Sequence, residues 1–126
     1  MGRFNDTGYG TVVLAAETSK SLRVKPDGSI AGIADRDVGI TTSFGQEGEE
    51  VTVSFANKQG LQKATCDGAV PINAPVYTAA DGKISATEAV GSILRGIAVD
   101  AGVDNEVIGI MPSFGSGAVV AGPAGP

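Results

Sequence analysis

The chain contains no histidine, no tryptophan, one cysteine (Cys66) and few aromatic residues, four Phe and two Tyr among 126. Without histidine it lacks the commonest general base and the commonest transition-metal ligand. A single cysteine excludes an intrachain disulfide and a zinc cluster of the cysteine type. There is no basic run either. Lys and Arg number 9 against 14 Asp and Glu, a net charge of −5, so neither a duplex-DNA surface nor any other nucleic-acid partner is expected. No stretch approaches the roughly 18 apolar residues that span a bilayer, so no membrane partner is expected. The opening residues, MGRFNDTGYG, lack the apolar run of a signal peptide, which places the expected site of synthesis and assembly in a cytoplasm. These absences weigh against an enzyme.

What the chain does hold is glycine (19) and β-branched residues, with 23 Val and Ile against four Leu. That balance favours strands. The expected organisation is a flexible arm over residues 1–10, one β domain over 11–112 and a low-complexity Gly/Pro-rich tail over 113–126. Thr11 to Ala16 reads as a first strand. Leu22 to Val24 and Ser29 to Ala34 flank Pro26-Asp27-Gly28, whose Pro and Gly suit a turn and predict a hairpin. Val38 to Thr42 could pair briefly. Val51 to Ala56 alternates cleanly, with Val51, Val53 and Phe55 on one side. Leu61 to Cys66, Val76 to Thr78, Lys83 to Ser85, Ile93 to Val99 and Glu106 to Met111 complete the strands, and Thr87 to Val90 could form a single helical turn. Expected core residues are Val51, Val53, Phe55, Val76, Ile93, Ile97, Val99 and Ile110. The fold class is all-β, a small β-barrel or β-sandwich-like subunit with an extended N-terminal arm.

The two halves resemble each other. Asp27-Gly28-Ser29-Ile30 is echoed by Asp81-Gly82-Lys83-Ile84, Gly32-Ile33-Ala34 by Gly96-Ile97-Ala98, and Glu50-Val51-Thr52-Val53 by Glu106-Val107-Ile108-Gly109. The order matches but the spacing does not, so a duplication and a mere reuse of β-turn patterns both remain open.

Candidate chemistry is sparse. Asp6-Thr7-Gly8 spells the D-T-G of aspartic proteases, but no apolar strand leads into it as that dyad requires. Asn5-Asp6-Thr7 matches a glycosylation acceptor that the absence of a signal peptide leaves without context. Asp35 and Asp37, with Glu47, Glu49 and Glu50, do not follow the ligand order of a Ca²⁺ loop and read as solvated acidic loops. Cys66 has no histidine to activate it. Gly8-Tyr9-Gly10 and Gly115-Ser116-Gly117 are too short for phosphate loops. No catalytic, cofactor-binding or metal-binding residues emerge. The polar arm, the acidic loop and the tail instead suit segments that order on a partner.

The order of Gly32-Ile33-Ala34, Gly48-Glu49-Glu50-Val51-Thr52-Val53, Asn73-Ala74-Pro75-Val76-Tyr77, Asp81-Gly82-Lys83-Ile84, Gly96-Ile97-Ala98 and Glu106-Val107-Ile108-Gly109-Ile110 resembles the small capsid decoration (cement) proteins of tailed bacteriophages. The likeness runs from Val24 to Met111, with Asn73 where the family usually has glycine. It implies a β-barrel-like subunit, usually a homotrimer. Such a subunit sits on the capsid exterior of a virion, binds the major capsid protein and stabilises its lattice without a cofactor. On that basis Arg3, Phe4, Asn5, Asp6, Thr7 and Tyr9 are the expected partner-binding residues. Two alternatives remain: a fibre or spike base, or a cytoplasmic carrier barrel presenting Lys83 at a hairpin tip.

Overall fold

The structure, a computed structural model, describes residues 9–55, 61–112 and Val119. Nine short strands carry the β-branched residues: β1 (Tyr9–Val13), β2 (Arg23–Val24), β3 (Gly39–Thr41), β4 (Glu50–Phe55), β5 (Gln62–Thr65), β6 (Pro75–Thr78), β7 (Ile84–Ser85), β8 (Leu94–Ala98) and β9 (Val107–Met111). All pairings between them are antiparallel. They form two sheets, ordered β1-β4-β3-β2 and β5-β9-β8-β6-β7, so the all-β expectation holds and the sheets do not close into a barrel.

Each sheet has its own core. Val12, Leu14, Val24, Val51 and Val53 cluster on the inner side of the first, with Val38 and Phe55 packed against them. Ala64, Cys66, Val70, Val76, Ile84, Ala98, Ile108 and Ile110 fill the inner side of the second. Ile40 belongs to this second core although it lies on β3. On β3 it pairs with Ser54, the residue between inward-facing Val53 and Phe55, and so points out of the first sheet.

The halves 9–55 and 61–112 are the same fold twice. Replacing β5, β9, β8 and β6 by β1, β4, β3 and β2 reproduces the strand order, and β7 corresponds to Ile30, which makes a single bridge to Val24. Hydrogen bonds repeat as well. Ser21 N–H donates to Thr41 O and Asn73 N–H to Ala98 O, both at 2.8 Å. Thr18 bridges Gly45 as Val70 bridges Gly102. Glu49 Oε1 accepts from Gln46 N–H at 2.6 Å, and Glu106 Oε1 from Val103 N–H at 3.1 Å. The duplication is therefore real, and the sequence echo needs two shifts. Gly96-Ile97-Ala98 answers Gly39-Ile40-Thr41 rather than Gly32-Ile33-Ala34, and Glu106 answers Glu49 rather than Glu50. Insertions in the loops, which tolerate them, had hidden the register.

Several local expectations shift. β1 begins at Tyr9, so Tyr9 and Gly10 belong to the sheet, where they pair with Ser54 and Val53. The return from Asp27-Gly28 is one bridge rather than a strand over 29–34. Residues 87–90 hold no helical turn. The short 3₁₀ element lies instead at Ala80–Gly82, because Asp81 (φ 59) and Gly82 (φ 74) both take left-handed conformations in the hairpin tip. Val51, Val53, Val76, Ile93 and Ile110 are buried as expected. Phe55 is only half-buried, and Ile97 and Val99 lie half-exposed on the outer side of the second sheet.

Gly28 is the turn glycine with least freedom. Its φ is +87, and a Cβ there would lie 1.8 Å from the Val13 carbonyl oxygen. Gly48 has φ +85 but open space around it. Gly28→Ala is expected to lower stability clearly more than Gly48→Ala, which carries only the backbone strain of about 1 kcal/mol. Urea unfolding of the two variants checks the difference.

Candidate functional site

The halves meet through buried polar groups. Arg23 is fully buried on β2, and its guanidinium spans both halves. Nε donates to Lys83 O at 3.1 Å and Nη2 to Ala79 O at 2.6 Å, both in the second half. Nη2 also reaches Gly32 O at 3.2 Å and Nη1 reaches Asp35 O at 3.4 Å, both in the loop after β2. Asp37 lies 3.5 Å from Arg23 and 3.3 Å from Arg95 on β8, and its side chain is 3% exposed. Burial pulls the Arg23 guanidinium below its ordinary pKa, with Asp37 opposing the shift and Arg95 adding to it. The solvated-loop reading of Asp37 is thus corrected, while the Asp35 side chain stays 44% exposed. Asp37 is buried because two arginines hold it, and Asp35 Oδ2 accepts from Gly32 N–H at 2.9 Å. Glu47, Glu49 and Glu50 are exposed as expected.

A cleft of about 390 Å³ opens where the halves meet, lined by Tyr9, Lys20, Thr42, Leu61, Lys63 and Val107 among others. Gln62 closes its floor. Its Nε2 donates to Ser54 Oγ at 3.0 Å and to Phe55 O, while the buried Oε1 has no partner among the described residues. Tyr9 is 40% exposed beside this cleft. Of the expected partner-binding residues it is the one the structure places. Arg3, Phe4, Asn5, Asp6 and Thr7 lie outside the described residues.

The outer side of the second sheet carries Leu61, Val107 and Met111, respectively 52%, 41% and 45% exposed, with half-exposed Ile97 and Val99 beside them. Single exposed apolar residues are ordinary, but a contiguous group on one sheet face points to an interaction surface. Strand periodicity could have found it, since Val107 and Met111 alternate with buried Ile108 and Ile110. Beyond Met111, Val119 makes a single bridge to Ile93. The rest of the expected tail, 113–118 and 120–126, lies outside the described residues.

Lys83 is not presented freely at its hairpin. It is half-buried and its Nζ donates to Asn105 Oδ1 at 2.7 Å. Among the described residues no group of three or more acidic or cysteine side chains is placed to hold a metal ion. Cys66 is buried in the second core, and burial, then the nearby Glu106 and Asp104, raise its pKa.

Two tandem antiparallel β modules, joined by a buried Arg–Asp–Arg cluster, define the class of this chain: a duplicated all-β fold. No family model matches the chain, and no curated protein matches it. Among solved structures it is similar to the N base of the head fiber protein gp8.5 of bacteriophage phi29, with TM-score 0.68 at 11% identity. The match covers 86% of this chain and 95% of that one, and what the two share is the fold.

Two outcomes follow from these contacts. Asp37→Ala leaves two buried arginines facing each other and is expected to cost about 3–5 kcal/mol, whereas Glu47→Ala on an exposed loop should stay within about 0.5 kcal/mol. Denaturant unfolding reads both. Cys66 is expected to react with a thiol reagent at pH 8 more than about tenfold slower in the native protein than in urea. Its raised pKa favours the folded state below the ordinary thiol range. That margin is lost as pH rises through the folded pKa, so alkaline unfolding should follow.

Proposed function

We propose that the chain is a phage virion structural protein. It attaches to the capsid exterior, binds the major capsid protein and acts by association, not catalysis. The observation that carries this reading is the fold shared, over nearly its whole length, with the base of a phage head fiber. The resemblance to capsid decoration proteins, found in the sequence between Val24 and Met111, points to the same location from independent residues. Residues 1–8 precede Tyr9, which lines the cleft between the halves. These residues suit strand addition to a neighbouring sheet edge, with Arg3, Phe4, Asn5, Asp6 and Thr7 as the contact set. A homotrimer multiplies such contacts, so that off-rates fall without any single strong contact. On this reading the protein stabilises the shell lattice as a cement protein does.

A second reading, the base of a head fibre, is favoured by the identity of the structural neighbour. Electron microscopy of labelled heads separates the two, because a cement protein forms low knobs across the lattice and a fibre base carries a projecting rod. The main test is co-sedimentation with capsid shells of the phage that carries the protein. Deleting residues 2–8, which spares Tyr9 and Gly10 in β1, is expected to weaken binding at least tenfold and leave thermal unfolding unchanged. Equal binding by the truncated and full chains sinks the arm assignment. No binding by the full chain sinks the virion reading.

A further inference from the structure

The cleft between the halves differs in charge from the chain as a whole. Lys20 and Lys63 line it and no Asp or Glu does, although the chain carries 14 acidic residues and a net charge of −5. Both lysines are exposed, and among the described residues neither has an ionic partner. One wall is the first sheet, at Tyr9 and Ser54, which pair across β1 and β4. The other is β5, which is an edge strand of the second sheet.

That edge carries unused backbone groups. Lys63 stands opposite Gly109 on β9, and Gly109 turns both of its own groups the other way. Its N–H donates to Asp100 Oδ2 at 3.1 Å, and its carbonyl accepts from Val99 N–H at 3.0 Å. Lys63 and Gly109 are therefore a non-hydrogen-bonded pair, and the Lys63 N–H and C=O point to the free edge of β5. Two residues on, the same edge is tied down, since Thr65 N–H and Oγ1 both donate to Ser21 O, at 3.1 and 3.0 Å. At Lys63 neither group has a partner among the described residues. Gln62, 2% exposed on the cleft floor, adds the orphan acceptor Oε1. Its amide cannot turn over to relieve this, because a flip would set Oε1 against the Phe55 carbonyl that Nε2 now bonds.

We propose that this cleft binds an extended, acidic segment of another protein, added as a strand to the free edge of β5. A strand residue presents one N–H and one C=O on the same side, which complements the C=O and N–H of Lys63. Carboxylates on the added segment meet Lys20 and Lys63, and a further N–H or side-chain donor answers Gln62 Oε1. Phosphate and nucleic-acid backbones would suit the lysines, but they bring no N–H donor to the Lys63 carbonyl or to Gln62. The bond between Thr65 and Ser21 closes one end of the edge, so the added strand is short. A short strand binds weakly and gains strength from many copies acting together. This site is separate from the proposed attachment through residues 1–8, and the inference holds whichever protein supplies the segment.

A nuclear magnetic resonance titration of the full chain tests it, with an acetylated, amidated octapeptide of alternating valine and glutamate as the probe. Amide shifts should centre on Lys63 and extend to Tyr9 and Thr42, with a Kd of about 1 mM or tighter. An alternating valine–lysine peptide should not bind. N-methylation of the central residues of the probe removes the donors it would offer to β5 and should weaken binding about tenfold. Lys63→Ala keeps the edge but loses one charge, and should weaken binding about threefold. Lys63→Pro also removes an N–H that the fold does not use, and should weaken it about tenfold further. If the proline variant does not fold, the N-methylated peptide tests the same edge from the ligand's side. A wild-type chain with no shifts at about 5 mM peptide overturns the proposal. Equal binding of the valine–lysine or the N-methylated peptide also overturns it, as does a proline variant that binds like Lys63→Ala. So do shifts centred on the edge of β1, at Thr11 and Val13, instead of on Lys63.

Discussion

Arg23 carries a permanent charge and has no exposed surface, and the way the two halves of this protein meet depends on how that charge is satisfied. Removing a guanidinium from water costs several kcal/mol unless its donors find acceptors and a counter-charge. Here the acceptors are backbone carbonyls from the β2–β3 loop and from the second-half hairpin, and the counter-charge is Asp37, shared with Arg95. The planar fork fits one relative placement of the halves. A slide of either would leave buried carbonyls or a buried carboxylate without partners. The cluster contributes less to net stability than to this uniqueness of arrangement.

Around it, the duplication shows which features of a β module are indispensable. The side chains of the two halves have diverged, so that Leu14 answers Cys66 and Thr41 answers Ala98. The glycines and left-handed residues at close approaches have not moved. A Cβ on Gly45 would collide with Leu14 and Val51 at 2.6 Å, and one on Gly102 with Ile108 at 2.5 Å. Core positions accept any apolar residue of suitable volume. A backbone pressed against a neighbouring side chain accepts only glycine. The halves differ where their surroundings differ: Ser54 is 7% exposed on the outer side of the first sheet, and its counterpart Met111 is 45% exposed on that of the second.

These features agree with the proposed role in association. Its chemistry-bearing residues are committed to internal contacts: Asp37 to arginines, Lys83 to Asn105, Cys66 to a core. Among the described residues the surface offers a cleft beside Tyr9 and an apolar sheet face.

Much of the secondary structure was legible in the residues. Alternation in Val51 to Phe55, the Asp-Gly turns and the β-branched runs place most strands to within two residues. Those are local properties, set by backbone sterics and by which side chains exist. The repeat was visible only in part, because loop insertions shift Gly39 and Glu49 out of the register that their nearest-looking matches suggest. Exposure of Met111 follows from its alternation with Ile110, but burial of Asp37 and exposure of Ile97 could not be read locally. A carboxylate between charged residues looks solvated until two distant arginines arrive, and an isoleucine in a strand looks like core until the sheet's outer side is found open. Composition and periodicity determined the all-β class, the turns and the thinness of the chemistry. Tertiary packing alone decided which face of each strand is inside, because that depends on what the other half of the chain brings against it.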